Sequence, residues 1–233
     1  MEDFFEHESA ALRQKLLTMA DRVGEMARRA VRGLLLRQPD LAARIQEADN
    51  EVDRYEKEID ELAVSLLSKA GRSIDLRLLM AAMRISNNLE RVGDEATTIA
   101  RRAQAMVCEP LQETAVDLLG MSILALGMLK DAVTAFMTRD PDKARTVLPR
   151  DEEVDFLHKR LHSELKGAMI AKSTAINSGL NLMVISKSLE RIADHAANVA
   201  EQVVYLYEGR DIRHAGRFLD SAVLSSLACP SPR

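Results

Sequence analysis

The chain repeats itself. Residues 85–94 read Ile-Ser-Asn-Asn-Leu-Glu-Arg-Val-Gly-Asp and residues 185–194 read Ile-Ser-Lys-Ser-Leu-Glu-Arg-Ile-Ala-Asp, so Glu90 and Asp94 are echoed by Glu190 and Asp194. Asp49-Asn-Glu-Val-Asp53 returns as Asp151-Glu-Glu-Val-Asp155, and Pro39-Asp40 returns as Pro141-Asp142, both at an offset of 102. Acid pairs in the same order in each half imply an internal duplication, hence two similar units, each long enough for a modest core. The boundaries implied are 1–109 for the first repeat, 110–214 for the second and 215–233 for a C-terminal tail.

Each unit reads as three helices. Glycine and proline are sparse, and the runs between them are rich in Ala, Leu, Met, Glu and Arg, which favour helix. No stretch alternates apolar and polar residues as a half-buried strand does. The punctuation predicts helices over 6–36, 41–70 and 75–107, then over 111–138, 142–172 and 177–207. Gly71 suits the position just past a helix end, and Ser73 or Asp75 suits a cap for the next start. Asp140 is placed to cap with Pro141 at the first helical position, and Pro149 is expected to kink the fifth helix or delay its start. Ile45, Val52, Ile59 and Leu66 recur every seven residues, with Leu41, Tyr55 and Leu62 on the interleaved row, as on the core seam of a bundle helix. The fold expected is all-α, two tandem pseudo-symmetric three-helix bundles with six long helices.

Composition removes several functions. A net charge of −4 and a pI near 5.8, with no basic face interleaved by aromatics, argue against a nucleic-acid binder. The arginines of 22–37 are interrupted by Leu, Val and Ala at helical spacing, which reads as a solvated face rather than an anion patch. The longest apolar run, 118–129, is too short to cross a bilayer and reads as a buried core helix. The acidic start, Met1-Glu-Asp-Phe-Phe-Glu-His7, is the wrong flank for a secretory signal, so the compartment expected is the cytoplasm. Cys108 and Cys229 have no cysteine or histidine at ligand spacing, which disfavours zinc, and a reducing compartment disfavours a disulfide. The tail containing 218–227 is assigned no role.

The acid pairs carry the chemistry. Acids four apart share one helix face. On a wheel, Leu89, Val92, Ala96 and Ile99 form an inward stripe, and Glu90 and Asp94 fall away from it. Leu189, Ile192, Ala196 and Val199 repeat the stripe, with Glu190 and Asp194 outward. Asp49 and Asp53 share a face of the second helix, so packing it beside the third brings four carboxylates per half to one groove. Repulsion among them requires a cation. One reading is an ordinary surface network with Arg91, Arg101 and nearby lysines; the other is a metal ion, since oxygen-only ligands suit hard cations. No His lies one turn from each Glu, so this is not the Glu-x-x-His di-iron arrangement. His195 points off the acid stripe and reads as a packing or surface residue, and His158 with His162 reads as a solvated pair. No Gly-rich phosphate loop, nucleophile elbow or Ser/His/Asp constellation is present.

At Glu90-Arg-Val-Gly-Asp94-Glu-Ala and Glu190-Arg-Ile-Ala-Asp194-His-Ala-Ala-Asn198-Val-Ala-Glu201 the chain resembles the PhoU family, over about 4–214 and in both repeats. The resemblance implies a non-enzymatic, cytoplasmic negative regulator of phosphate uptake and phosphate-starvation signalling. Its implied partners are the ATPase subunit of a phosphate ABC transporter and a phosphate sensor histidine kinase, with the membrane reached through them. It also implies a homodimer, and divalent or trivalent metal ions (Fe, Mn, Mg or Zn) on Asp49, Asp53, Glu90, Asp94, Asp151, Asp155, Glu190 and Asp194. The alternatives are a metal-dependent hydrolase or phosphatase, disfavoured because the acids lie on open faces without a walled pocket, and a metal-buffering protein. The repeats differ in one stripe: Glu95, Thr98 and Arg101 stand where the second has His195, Asn198 and Glu201. Arg101 opposes a cation in the first repeat and Glu201 favours one in the second, so the second site is expected to bind more tightly.

Overall fold

The computed structural model of this chain describes residues 2–38, 40–69, 76–109 and 115–212. Its long helices are α1 (Glu2–Leu36), α2 (Leu41–Lys69), α3 (Leu76–Ala105), α4 (Ala115–Thr138), α6 (Pro149–Ala171) and α7 (Ile176–Glu208). A short α5 (Pro141–Arg145) precedes α6, a 3₁₀ turn (Ser173–Ala175) precedes α7, and there is no strand among the described residues. The all-α fold of two three-helix bundles is therefore observed. The expectations resting on Gly71, Ser73 and Asp75, on the breaks at Pro39 and Pro110, on Cys229 and on the tail lie outside the described residues.

Proline positions explain the one departure from six uninterrupted helices. Asp140 accepts a hydrogen bond from the Lys143 amide at 2.9 Å and Pro141 opens α5. Helix is lost at Thr146–Leu148 and resumes with Pro149 in its first turn, where a missing N–H costs nothing. Duplication reaches down to single dihedrals. Arg37 (φ 52°) and Arg139 (φ 56°), 102 residues apart, both take the left-handed conformation that ends a helix. The amides that follow them reach back to Gly33 O (3.3 Å) and Ala135 O (2.9 Å).

The predicted seams are the core. Ile45, Val52, Ile59, Leu66 and Leu41 are buried, with Tyr55 and Leu62 partly buried against them. Leu89, Val92, Ala96 and Ile99, and their counterparts Leu189, Ile192, Ala196 and Val199, have no exposed surface. Within the first unit α1 packs on α2 and α3; within the second α4 and α6 pack on α7. Between the units the main contact is α3 against α7, with α1 also meeting α4. Polar partners across that seam run in opposite senses: Arg84 with Gln202, Asn88 with Asn198, Glu95 with Arg191, Glu109 with Asn177. The two helices are therefore antiparallel and lie level at residues 93 and 193.

The apolar run in α4 is longer than the sequence pattern indicated. It extends from Leu118 to Thr138, 21 residues with a mean hydropathy of 1.5, long and apolar enough to cross a membrane, and half of it is buried. Met121, Ala125, Met128, Ala132 and Phe136 spend that apolarity on the bundle interior.

Candidate functional site

Packing α2 beside α3 does what the wheel required: Asp49, Asp53, Glu90 and Asp94 line one open groove of about 870 Å³. They are not equally outward, as the wheel alone had implied. Asp49 is buried, and the side chains of Glu90 and Glu190 keep 17 % and 12 % of their exposure against 49 % for Asp94. The neighbouring helix covers the flank of the stripe nearest to it, which a single-helix wheel does not contain. Gly93 makes this approach possible, because a Cβ there would stand 2.9 Å from Asp49 Oδ1.

Burial and neighbouring negative charge hold Glu90 and Asp49 toward their protonated form. Burial, then Asp94, pushes the Glu90 carboxyl up to about 7 despite Arg91. Asp49 is raised by burial and then by Asp53 and Asp94, with the Thr97 hydroxyl and Arg101 drawing it back. The second half repeats the pattern. Burial raises Asp151 to about 6, followed by the charges of Asp194, Asp155 and Glu190, and burial with Glu190 raises Asp194. So Asp151, Asp155, Glu190 and Asp194 also converge.

Cations reach the clusters unevenly. Arg91 Nε lies 3.3 Å from Glu90 Oε2 and its Nη1 3.2 Å from Asp94. Lys187 sits against Glu190 Oε2, and Lys159 Nζ is 3.6 Å from Asp155. Even so, Glu90 Oε2 and Glu190 Oε2 are buried oxygens that accept no hydrogen bond. No three His, Cys, Asp or Glu side chains among the described residues stand ready-made as metal ligands. The donor set still fits an oxygen-seeking cation: four carboxylates per half, with one buried oxygen in each half held by an ion pair alone, Glu90 Oε2 by Arg91 and Glu190 Oε2 by Lys187.

Four residues that the sequence reading did not assign to the first groove belong to it. Asp194, Arg191, His195 and Asn198 of the second repeat line it together with Glu95, because the antiparallel α3–α7 contact turns that face of α7 toward α3. Arg191 donates to the buried Glu95 at 3.0 Å, and His195 Nδ1 and Asn198 Nδ2 meet Asn88 Oδ1 at 3.0 and 3.3 Å. His195 is thus a packing residue of the seam, and burial lowers its pKa. His158 is no free surface residue either, since its Nδ1 lies 2.7 Å from Ser186 Oγ. The i,i+3 relation between the matched positions 95, 98 and 195, 198 was visible in sequence; the crossing that joins them was not. This placement bears on the residues behind the expected inequality of the two sites. Arg101 does line the first groove, but Asn198 lines it too, and Glu201 lines a separate groove with Met83, Arg84 and Asn87.

Comparison with known proteins agrees with this architecture. A family model described as PhoU domain matches residues 16–103 and 118–203. The phosphate-specific transport system accessory protein PhoU homolog of Pseudomonas aeruginosa is 36 % identical over 217 residues, covering 91 % of this chain and 88 % of that protein. The PhoU accessory protein of Escherichia coli is 32 % identical over 213 residues, covering 91 % and 88 %. A crystal structure of PhoU from P. aeruginosa superposes with a TM-score of 0.85 at 34 % identity, over 88 % of this chain and 100 % of that one. The phosphate transport system regulatory protein PhoU from Streptococcus pneumoniae gives 0.83 at 30 % identity, over 89 % and 98 %. With both repeats matched and relatives aligned along most of its length, this chain belongs to the PhoU family.

Proposed function

We propose that this chain is an accessory protein of a phosphate transport system that restrains phosphate uptake and phosphate-starvation signalling from the cytoplasm. In this reading it works as a non-enzymatic adaptor between the transporter's ATPase subunit and a sensor histidine kinase. The names of its relatives support the transport role. The observation that carries the site is the pair of carboxylate clusters at matched repeat positions, each holding acids raised chiefly by burial, Asp49 and Glu90 in the first and Asp151 and Asp194 in the second. Asp49, Asp53, Glu90 and Asp94 would hold one cation, and Asp151, Asp155, Glu190 and Asp194 another, of the divalent or trivalent kind that takes oxygen ligands. Such a cation supplies positive charge that neutralises the clusters and fixes α2 to α3 and α6 to α7. The groove is open, Arg91 and Arg191 are already engaged with acids and Arg101 with Gln46, an arrangement better suited to a docking surface than to a hydrolase pocket. A homodimer belongs to the same reading.

The test is co-purification of the chain with the ATPase subunit and the kinase's cytoplasmic part, beside a phosphatase assay and metal analysis. Retention of both partners, no turnover, and metal lost when all eight acids are neutralised are the expected results. Phosphatase activity that disappears in a folded Glu190→Ala, Asp194→Ala protein would replace the adaptor by an enzyme.

A further inference from the structure

A second groove, of about 460 Å³, runs between α1 and α2 on the first repeat, away from the carboxylate clusters. Arg22, Arg29 and Arg32 of α1 and Arg44 of α2 line it, with Glu25 as its one acid. Arg22 is paired with Glu51, and Arg29 with Glu25 at 2.7 Å, but Arg32 and Arg44 have no carboxylate partner among the described residues. A concave surface this basic stands out on a chain of net charge −4.

Scaffold needs do not account for these arginines. At the positions 102 residues later the second repeat carries Leu124, Asp131, Thr134 and Thr146, and its corresponding helices still pack. Nor is the groove a seat for an apolar helix. Its floor residues Met26, Leu41 and Ile45 are at most 3 % exposed, which leaves Leu36 as the one large apolar side chain it exposes, short of the anchor on each turn that an apolar helix needs. What it offers is charge in a row. Arg22 to Arg32 spans ten residues of helix, about 15 Å along the axis. A single tetrahedral anion reaches one or two guanidinium forks; a linear anion reaches the whole row.

We propose that this groove binds a linear chain of condensed phosphate, supplied either as inorganic polyphosphate or as the triphosphate tail of a nucleotide. Arg32 and Arg44, which give up no existing ion pair, make the first contacts, and Arg22 and Arg29 extend them.

The test uses the full chain in metal-free buffer of low ionic strength, titrated calorimetrically with tripolyphosphate, a longer polyphosphate, ATP and orthophosphate. Tripolyphosphate is expected to saturate one site at least tenfold more tightly than orthophosphate, and to weaken steeply with added salt. Arg32→Glu, Arg44→Glu should lower its affinity tenfold or more, and the milder Arg32→Gln, Arg44→Gln pair less so, with the circular dichroism spectrum unchanged. Glu90→Gln, Asp94→Asn should leave it as it was. ATP binding like tripolyphosphate identifies a nucleotide source, and gain with chain length identifies polyphosphate. No saturable binding, binding indifferent to both arginine pairs, orthophosphate equal to tripolyphosphate, or tighter binding of a single-stranded oligonucleotide would each overturn the assignment.

Discussion

Glu90 shows how one side chain links the cluster to solution conditions. Its carboxyl is raised to about 7 in the folded protein, first by burial and then by Asp94, from 4.5 when unfolded. The folded state therefore holds this proton more tightly, and the stability it confers is present in full below pH 4.5 and lost as pH rises through 7. Asp151, raised to about 6, acts in the same direction at lower pH, and Asp49 and Asp194, raised from 3.8 chiefly by burial, add to it. His158 and His195, lowered by burial, act oppositely but below 6.5, and the acids lowered by ion pairs, Glu25, Glu58 and Glu208, act below 4.5. The window from pH 6.5 to 8.5 thus belongs mainly to Glu90. Metal-free protein should lose about 1 kcal/mol across it, or roughly 2–4 °C in Tm, and Glu90→Gln should flatten the loss. A Tm that rises over this window in the wild type would refute the assignment. Cation affinity at the two clusters follows from neighbouring charges in the same way. Arg101 opposes a cation in the first cluster and Lys187 opposes one in the second. Arg101→Gln and Lys187→Gln should each tighten binding at their own cluster by about fivefold or more, since one charge at ~10 Å acts on a divalent ion with about 1–3 kcal/mol. Manganese titrations read this directly, and tightening at the other cluster would refute it.

Helices and their seams were legible in the sequence; the way they meet was not. The seven-residue recurrence of Ile45, Val52, Ile59 and Leu66 placed the core face of α2 correctly, because burial of one stripe is a property of a single helix. Pro141 and Pro149 marked the interruption around α5 for a reason equally local. Burial of Asp49, and the reach of Arg191, His195 and Asn198 into the first groove, depend on neighbours far away in sequence, and no wheel contains them. Glycines carry part of that hidden information. A Cβ on Gly33 would lie 2.1 Å from Leu41 Cδ2, and one on Gly93 would lie 2.9 Å from Asp49 Oδ1, so both mark close helix approach. Gly120 and Gly167 meet nothing within 4 Å. Alanine should therefore cost about 1–3 kcal/mol at Gly33 and at Gly93, and should add about 0.5–1 kcal/mol at Gly120 and at Gly167. Denaturant titration of the four variants separates the classes, and a stabilised Gly33→Ala would show that α1 and α2 do not pack this closely.

Duplicated chains can unfold one repeat at a time, and the seam between repeats decides whether this one does. Here α3 and α7 bury apolar stripes against both their own unit and each other. Glu95 is buried on the first repeat and receives its hydrogen bond from Arg191 of the second. Asn88 receives two, from the side chains of His195 and Asn198 or their tautomeric equivalents. At another point on the contact Arg13 of α1 donates to the Tyr207 hydroxyl at 2.9 Å, and that hydroxyl donates to the Phe136 carbonyl at 3.2 Å, tying α1, α4 and α7 together. Unfolding the second repeat alone would leave Glu95 without its partner and uncover the α7-facing side of α3, so a half-folded state is less stable than the sum of its parts suggests. The two repeats are expected to melt as one unit. Calorimetry of the metal-free protein should give a single endotherm whose calorimetric and van't Hoff enthalpies agree. Glu95→Ala, which leaves the exposed Arg191 free to meet water, should lower that one transition by several degrees without splitting it, at a cost of about 1–3 kcal/mol. Two resolved endotherms in the wild type, or a Glu95→Ala effect confined to half of the melting enthalpy, would show that the repeats fold independently and that the seam between them is only contact.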